Sequence, residues 1–162
     1  CSAQSILHLD CMMVVLAADH RGFKLKETLK GFLAQEGYEV VDVGAHEKIA
    51  TDDYPDFASA GTLKVLENPG SRGIFLCGSG MGMDVVANKF RGIRATVAYS
   101  RDSAEHARTH DDVNVITLAA EAISQAEAWE IAGTFLSTEF DGAERNVRRL
   151  EKVKVIEEKN FK

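Results

Sequence analysis

Four short segments of the chain are apolar at nearly every position, and they constrain the fold more than any other feature of the sequence. They cover residues 12–18, 73–77, 94–98 and 113–118, and a shorter, mixed segment covers residues 38–43. A strand with one face in water alternates apolar and polar residues, whereas a continuously apolar strand is buried on both faces. The pattern therefore predicts a parallel sheet covered by helices on both sides.

Helical patterns fill the gaps between these segments. Apolar residues recur at helical spacing before Gly37, and a last helix is expected from about Ala143 towards the C-terminus. Asp102 with Glu105, and Ser124 with Glu127, have the spacing of capping boxes at two further helix starts. Strand and helix thus alternate five times. We predict an α/β fold: a Rossmann-like three-layer αβα sandwich with a five-stranded parallel sheet.

The length and charge of the chain limit its number of domains and the kinds of partner that it can bind. With 162 residues, one domain with one core is expected. We assign it to residues 12–162 and expect residues 1–11 to be an N-terminal appendage, disordered or foreign to the natural protein. A net charge of −6 argues against nucleic-acid binding, and no apolar run reaches membrane-spanning length. Three cysteines without metal-ligand spacing favour the reducing cytoplasm and predict no metal site.

A glycine-rich turn follows the segment 73–77. Gly78, Gly80 and Gly82 alternate from a strand end into a helix, an arrangement in which backbone N–H groups point at an anion. The spacing matches neither the dinucleotide-binding G-x-G-x-x-G nor a P-loop. On this pattern alone, a nucleotide-binding turn and a catalytic oxyanion site both stay open.

Cys77 stands where the strand opens into this turn. A cysteine ending a buried strand is commonly a small core residue. Amide donors and a helix start would instead favour a thiolate that acts as nucleophile, redox group or general base. No C-x-x-C pattern supports redox chemistry.

Other titratable residues stand beside the predicted strands. His20 follows the first strand, His110 precedes the last, and both are either structural or functional. We expect these polar groups to gather on one edge of the sheet. Arg145 and Arg149 share one helix face, which is either a solvated basic surface or a phosphate clamp.

Together these pieces resemble the ribose-5-phosphate isomerase B and galactose-6-phosphate isomerase family. The matching segments, in chain order, are ADHRGFKLK, DYPDFA, GIFLCGSGMGM, ANKFRGIRA, RTHDDVNV and RNVRRL. The resemblance covers nearly everything from Met13 to the end. It implies a cofactor-free aldose–ketose isomerase of phosphorylated sugars, with ribose 5-phosphate and ribulose 5-phosphate as the predicted pair. It also implies a homodimer, often paired into a tetramer, with active sites between two subunits.

The resemblance assigns roles by position. Cys77 is the base, Ser79 helps to move a proton between O1 and O2, and Asp19 and His110 open the sugar ring. Some members lack this cysteine and carry a Glu a few residues later, whereas this chain has Cys77 with Met83 and resembles the cysteine type. The implied substrate-binding set is His20, Tyr54, Gly78, Gly80, Met81, Gly82, Asn114, Arg145 and Arg149.

One position departs from the resemblance. Many relatives carry an Arg that reaches phosphate after the last strand, and Glu121 stands there in this chain. We expect Glu121 either to turn away or to bind a sugar hydroxyl or one of the helix arginines Arg145 and Arg149. In the second case ribose 5-phosphate is accepted without being the best substrate.

Three alternatives remain. The same reaction on a tetrose or hexose phosphate would appear in a substrate panel. A non-catalytic nucleotide-binding module would leave Cys77 dispensable. A cysteine hydrolase or redox enzyme would form a covalent intermediate at Cys77.

Overall fold

The computed structural model describes residues 12–161, and the expectation for residues 1–11 lies outside this range. The elements, in chain order, are β1 (Met13–Ala18), α1 (Phe23–Gln35), β2 (Glu39–Asp42), α2 (Tyr54–Glu67), β3 (Arg72–Cys77), α3 (Met81–Ala87), β4 (Ala95–Val97), α4 (Arg101–Asp111), β5 (Val115–Ala119), α5 (Gln125–Ser137) and α6 (Glu144–Asn160). All five apolar or mixed segments of the sequence form strands.

The strands form one parallel sheet in the order β2-β1-β3-β5-β4. In the centre of the sheet, Leu16 of β1 pairs with Ile74 of β3, which pairs in turn with Ile116 of β5. The three side chains are fully buried. The predicted class, a three-layer α/β sandwich with a five-stranded parallel sheet, is confirmed.

The two faces of the sheet carry separate cores, because successive side chains of a strand point to opposite faces. Leu16, Ile74 and Ile116 pack with the apolar stripes of α1 and α5 on one side. Phe75 and Val115, next to them in sequence, pack with α2 and α3 on the other side. Burial on both faces explains why these strands lack polar alternation.

Two edges of the sheet matter for the site. At the carboxyl edge the strands end, and at the amino edge they begin. Arg72, the first residue of β3, marks the amino edge, and its guanidinium donates to the carbonyls of Phe135, Leu136 and Thr138 at the end of α5. Helices that follow parallel strands run back from the carboxyl to the amino edge. The end of α4 and the start of α6 therefore lie at the amino edge.

One of the two predicted capping boxes is present in the structure. Ser124 and Glu127 form the predicted capping box of α5. The prediction for α4 is wrong, since Ser100 and Ser103 form its capping box. Ser100 has the extended backbone that a cap requires, whereas Asp102 already lies inside the helix. Within residues 12–161 no helix combines the length and apolarity needed to cross a bilayer.

Candidate active site

The site lies at the carboxyl edge between β1 and β3. These strands are neighbours, but the chain leaves β1 towards β2 on one side and leaves β3 towards β4 on the other. Such a switch point opens a crevice between the two connections. The turn after β1 packs directly on β3, because a Cβ placed on Gly22 would come 2.4 Å from the carbonyl oxygen of Leu76. This contact brings Asp19 and His20 beside Cys77.

Cys77 is a free thiol with 4% of its surface exposed. The N–H of Gly80 donates to its Sγ at 3.1 Å. An N–H donor stabilises a thiolate more than a thiol, because the thiolate is the stronger acceptor. Next to it, Ser79 is exposed, and its Oγ accepts from the N–H of Met81 at 3.3 Å. Met83 is fully buried in the core beneath the turn.

The three glycines of the turn have separate reasons to lack a side chain. Gly80 has φ of +75°, the left-handed region that favours glycine. A Cβ on Gly78 would come 2.5 Å from the guanidinium of Arg21. A Cβ on Gly82 would come 2.7 Å from the ring of Tyr54. Arg21 and Tyr54 therefore cover the two ends of the turn and border the crevice.

Asp19 is buried, with one oxygen used by the fold. Its Oδ1 accepts from the N–H groups of Arg21 and Gly22, both at 2.9 Å. These two bonds fix the carboxylate, and no hydrogen bond to another described residue engages its Oδ2. Asp19 is thus held in place beside Cys77, with Oδ2 free of hydrogen bonds from the described residues.

His20 is oriented by Asp52. The Oδ1 of Asp52 accepts from the backbone N–H of His20 at 3.0 Å and lies 2.6 Å from its Nδ1. With Nδ1 donating to the carboxylate, Nε2 is left to face a ligand. Donor atoms of Asp19, His20 and Asp52 all lie within 4.8 Å of one another, the spacing of a metal cluster. Two of these three residues already bond each other, and Asp19 binds backbone amides.

Glu121 does not turn away from the site, and within its own chain it binds Arg21 instead of the helix arginines Arg145 and Arg149; its predicted bond to a sugar hydroxyl stays a prediction. Its two carboxylate oxygens accept from Nε and Nη2 of Arg21, with 2.6 Å between Nε and Oε1. The pairing lowers the pKa of Glu121 and raises that of Arg21, because a hydrogen-bonded opposite charge favours both ionised forms. The carboxylate that departs from the resemblance thus holds a guanidinium at the site.

His110, Arg145 and Arg149 lie at the opposite edge from Cys77, which corrects the expectation that the polar groups share one edge. His110 ends α4, directly before β5 begins, and its Nδ1 lies 3.0 Å from Nε2 of His106. The exposed guanidinium groups of Arg145 and Arg149 stand at the start of α6. Since β3 has six residues, each rising about 3.3 Å, about 20 Å separates the two edges.

Asp141 lies near both His110 and Arg145 at the amino edge. The backbone N–H of Ala143 and the side chain of Asn146 donate to its carboxylate and lower its pKa most. The charges of His110 and Arg145 lower the pKa further. His110 and Arg145 therefore lie near one carboxylate at the amino edge, far from their own chain's Cys77.

Asn114, predicted to lie near the sugar hydroxyls, is bonded within its own chain at both ends of its amide. Its Oδ1 accepts from the N–H of Arg94, and its Nδ2 donates to the carbonyl of Gly92, both at 2.9 Å. Both ends of the amide are thus used to fasten the segment before β4 to β5. Asn114 lies at the amino edge, as His110 does, and its role near the sugar stays a prediction.

Two residues of the site went unassigned at the level of sequence. Asp52 and Arg21 stand in the polar stretches after β2 and β1, but their partners lie 32 and 100 residues away. No periodicity joins residues so far apart. The one available signal was their position directly after predicted strands.

A sequence model described as Ribose/Galactose Isomerase matches residues 14–153. A putative sugar phosphate isomerase of Bacillus subtilis, YwlF, is 37% identical over 150 residues, which covers 93% of this chain and all of that protein. Ribose-5-phosphate isomerase B of Mycobacterium tuberculosis is 39% identical over 140 residues, or 86% of each chain.

A solved structure is also similar over nearly its whole length. Ribose-5-phosphate isomerase B of Mycoplasma genitalium, crystallised with bound ribulose-5-phosphate, superposes with a TM-score of 0.88. The two sequences are 35% identical, and the match covers 92% of this chain and 98% of that one.

Proposed function

The chain belongs to the ribose/galactose isomerase family, and we propose that it interconverts ribose 5-phosphate and ribulose 5-phosphate with Cys77 as the base. It is an aldose–ketose isomerase. The relatives named as ribose-5-phosphate isomerase B, one of them with ribulose-5-phosphate bound, support this choice of substrate. The observation that carries the mechanism is the thiol of Cys77, which receives an N–H from the glycine turn.

The reaction moves one proton from C2 to C1 and a second from the C2 oxygen to the C1 oxygen. The Cys77 thiolate removes the proton from C2 of the open-chain aldose, and the electron pair moves through the C1–C2 bond to give an enediolate. The thiol then returns the proton to C1, while a proton passes from the C2 oxygen to the C1 oxygen. The Oγ of Ser79, exposed beside Cys77, is placed to relay that second proton. No electrons enter or leave the substrate.

The glycine turn stabilises the enediolate oxygen. A sugar C–H is a very weak acid until its carbonyl is polarised, so the enzyme must bind the developing charge. The amides of Gly78 to Gly82 lie beside Cys77 at the mouth of the crevice. They are fixed before the substrate arrives, which avoids reorganisation during the reaction.

The sugar ring must open before isomerisation. Asp19, fixed by two backbone N–H groups, is the carboxylate on the Cys77 side. His110 is the second residue of this step, and it lies about 20 Å away at the other edge of its own chain. The ring-opening pair therefore needs a second subunit.

Each active site is accordingly formed by two chains of a homodimer, which is able to pair further into a tetramer. One chain supplies Asp19, His20 and Cys77, and the partner supplies the amino-edge group of His110, Arg145 and Arg149. Exposed apolar side chains support such pairing. In α6, Val153, Val155 and Ile156 are 47%, 46% and 60% exposed in the single chain, which is costly unless another surface covers them.

The test is the Cys77→Ala variant, assayed for ribulose 5-phosphate formation. A general base contributes about a hundredfold to ten-thousandfold to the rate, so we expect kcat to fall by that factor while circular dichroism and substrate binding stay unchanged. A variant that keeps more than half of the wild-type kcat would place the base elsewhere. Mass spectrometry of the wild type during turnover should find no covalent adduct on Cys77, in contrast to a cysteine hydrolase.

Another sugar phosphate is the second candidate substrate, and the Arg21–Glu121 pair is the observation that favours it. The pair borders the crevice where the resemblance leads us to expect a single Arg. Measuring kcat/KM for aldose phosphates of four, five and six carbons decides between the two. Ribose 5-phosphate leads the panel under the first proposal and is surpassed under the second.

A further inference from the structure

Arg21 and Glu121 form a two-point ion pair across 100 residues of sequence. Nε donates to Oε1 and Nη2 to Oε2, so the planar guanidinium meets the carboxylate edge to edge. Each side chain is about half exposed, at 51% and 52%. An exposed ion pair adds little to the free energy of unfolding. Its geometry is thus better explained by function than by stability.

The backbone anchors both partners at the site. The N–H of Arg21 donates to Asp19 at 2.9 Å, and the N–H of Glu121 donates to the carbonyl of Gly78 at 3.2 Å. The guanidinium lies on Gly78 itself, where a Cβ would clash with Cζ and Nε at 2.5 Å. The cation is therefore held against the anion-binding turn, one residue along the chain from His20.

The orientation leaves donors of Arg21 unused. Glu121 takes Nε and Nη2, and within residues 12–161 no group accepts a hydrogen bond from Nη1. Because Glu121 fixes the plane of the guanidinium, the free Nη1 has a defined direction at the rim of the crevice. An acceptor-rich anion such as a phosphate is the natural partner for it.

We propose that Arg21, positioned by Glu121, binds the phosphate group of the sugar substrate beside His20. The inference rests on the proposed function, since it takes a phosphorylated sugar as the ligand. It accounts for the acidic residue at position 121. The cation that the resemblance places there comes instead from Arg21, and Glu121 holds it in place.

Removing the charge of Glu121 should change phosphate affinity in opposite directions with and without Arg21, which provides a sharp test. While Arg21 is present, Glu121 orders it and aids phosphate binding. Once Arg21 is removed, the lone carboxylate repels the phosphate, because both lie well within the Debye length of about 8 Å. Removing the charge of Glu121 should therefore weaken binding in one background and strengthen it in the other. A purely structural ion pair would not reverse sign in this way.

The experiment measures KM and kcat for ribose 5-phosphate in four proteins: wild type, Arg21→Ala, Glu121→Gln and the double variant. We expect Arg21→Ala to raise KM by about tenfold to a hundredfold with kcat within about twofold of wild type. Glu121→Gln should raise KM several-fold, and the double variant should have a lower KM than Arg21→Ala. Arg21→Lys should recover part of the affinity. Arg91→Ala, which breaks an exposed pair with Glu158 at the amino edge, is the control and should leave KM unchanged.

Two results would overturn the inference. One is a wild-type KM in Arg21→Ala, and the other is a Glu121→Gln change that lowers KM equally in both backgrounds. Calorimetric titration of inorganic phosphate into wild type and Arg21→Ala separates this inference from the proposed function. If Arg21→Ala binds inorganic phosphate more weakly than wild type, the role of Arg21 is supported even when no sugar phosphate is isomerised. If the two proteins bind phosphate equally, that role is rejected even when ribose 5-phosphate is turned over.

Discussion

Two inactive variants should restore activity to each other if each active site is built from two chains. In Cys77→Ala the defect lies at the carboxyl edge, and in His110→Ala it lies at the amino edge, about 20 Å away in the same chain. A mixed dimer then contains one site with both defects and one site with neither. Each homodimer of a single variant has two damaged sites.

The expected recovery follows from counting sites. With random pairing of equal amounts, about half of the dimers are mixed, and one of the two sites in each mixed dimer is intact. About a quarter of the wild-type activity should therefore return, against a background of about one hundredth or less from each parent. A tetramer made from such dimers gives the same fraction, because each site still uses two chains.

The assay co-expresses the two variants with different affinity tags and follows ribulose 5-phosphate formation. The matched control replaces His110→Ala with Asp19→Ala. Asp19 lies beside Cys77 in the same chain, so every site of that mixed dimer carries one defect and no activity should return. If the Cys77→Ala and His110→Ala mixture stays at the parental rate, or if the control mixture recovers equally, the two-chain site is wrong.

Four further variants test three separate parts of the structure. Arg145→Ala and Arg149→Ala should each raise KM for phosphorylated sugars with little change in kcat, since losing a charge-assisted contact costs about 1.5 to 3 kcal/mol. Asp52→Asn should raise KM about tenfold, because a neutral amide oxygen accepts from the His20 ring more weakly than a carboxylate does and orients the ring less firmly. Asp42→Asn should lower the free energy of unfolding at neutral pH by about 3 kcal/mol, because it leaves the ammonium of Lys26, which is fully buried and 2.6 Å from Asp42, without its main counter-ion.

Each of these changes has a control and an outcome that contradicts it. Lys154→Ala, on the opposite face of α6, and Asp53→Asn, the exposed neighbour of Asp52, should leave KM unchanged. Equal KM effects in the controls would mean that the tested residues contribute only general surface charge. Burial acts to raise the pKa of Asp42, but hydrogen bonds from two lysines and the N–H of Gly44 outweigh it and lower the pKa. The contribution of Asp42 to the free energy of unfolding is therefore present in full above its pKa in the unfolded chain, about 3.9. It is lost as pH falls through the lower pKa of Asp42 in the folded chain. In urea titrations the difference between wild type and Asp42→Asn should shrink below about pH 4, and a constant difference would contradict the ion-pair explanation.

The strands could be predicted from the sequence because burial on both faces leaves a local signature. Leu16, Ile74 and Ile116 each lie in an apolar run, and each pairs with its neighbour in the sheet. The start of α4 was misplaced, because the Asp102–Glu105 spacing fits a capping box as well as the Ser100–Ser103 spacing does. Only the backbone conformation, extended at Ser100, separates the two.

The placement of His110 shows a different limit. Polarity marks a residue as a candidate, but its edge of the sheet depends on whether it precedes or follows a strand. His110 precedes β5 and therefore lies at the amino edge, although Asp19 and Cys77 follow or end their strands and lie at the carboxyl edge. Parallel topology alone already separates them. Proximity to a strand in sequence therefore does not place a residue at an edge unless the direction of the strand is also taken into account.

Glu121 shows why a position cannot be interpreted without its partner. Compared position by position, an acid in place of a base removes a cation from the phosphate pocket. In the folded chain Glu121 instead forms an ion pair with Arg21, and the guanidinium of Arg21 lies against Gly78. A side chain at position 78 would displace that guanidinium. Under the proposed phosphate contact of Arg21, the positive charge of the pocket comes from two loops 100 residues apart that act jointly. The pairing of Arg21 with Glu121 follows from the packing of the loops after β1 and β5 at the carboxyl edge, and the sequence alone does not reveal it.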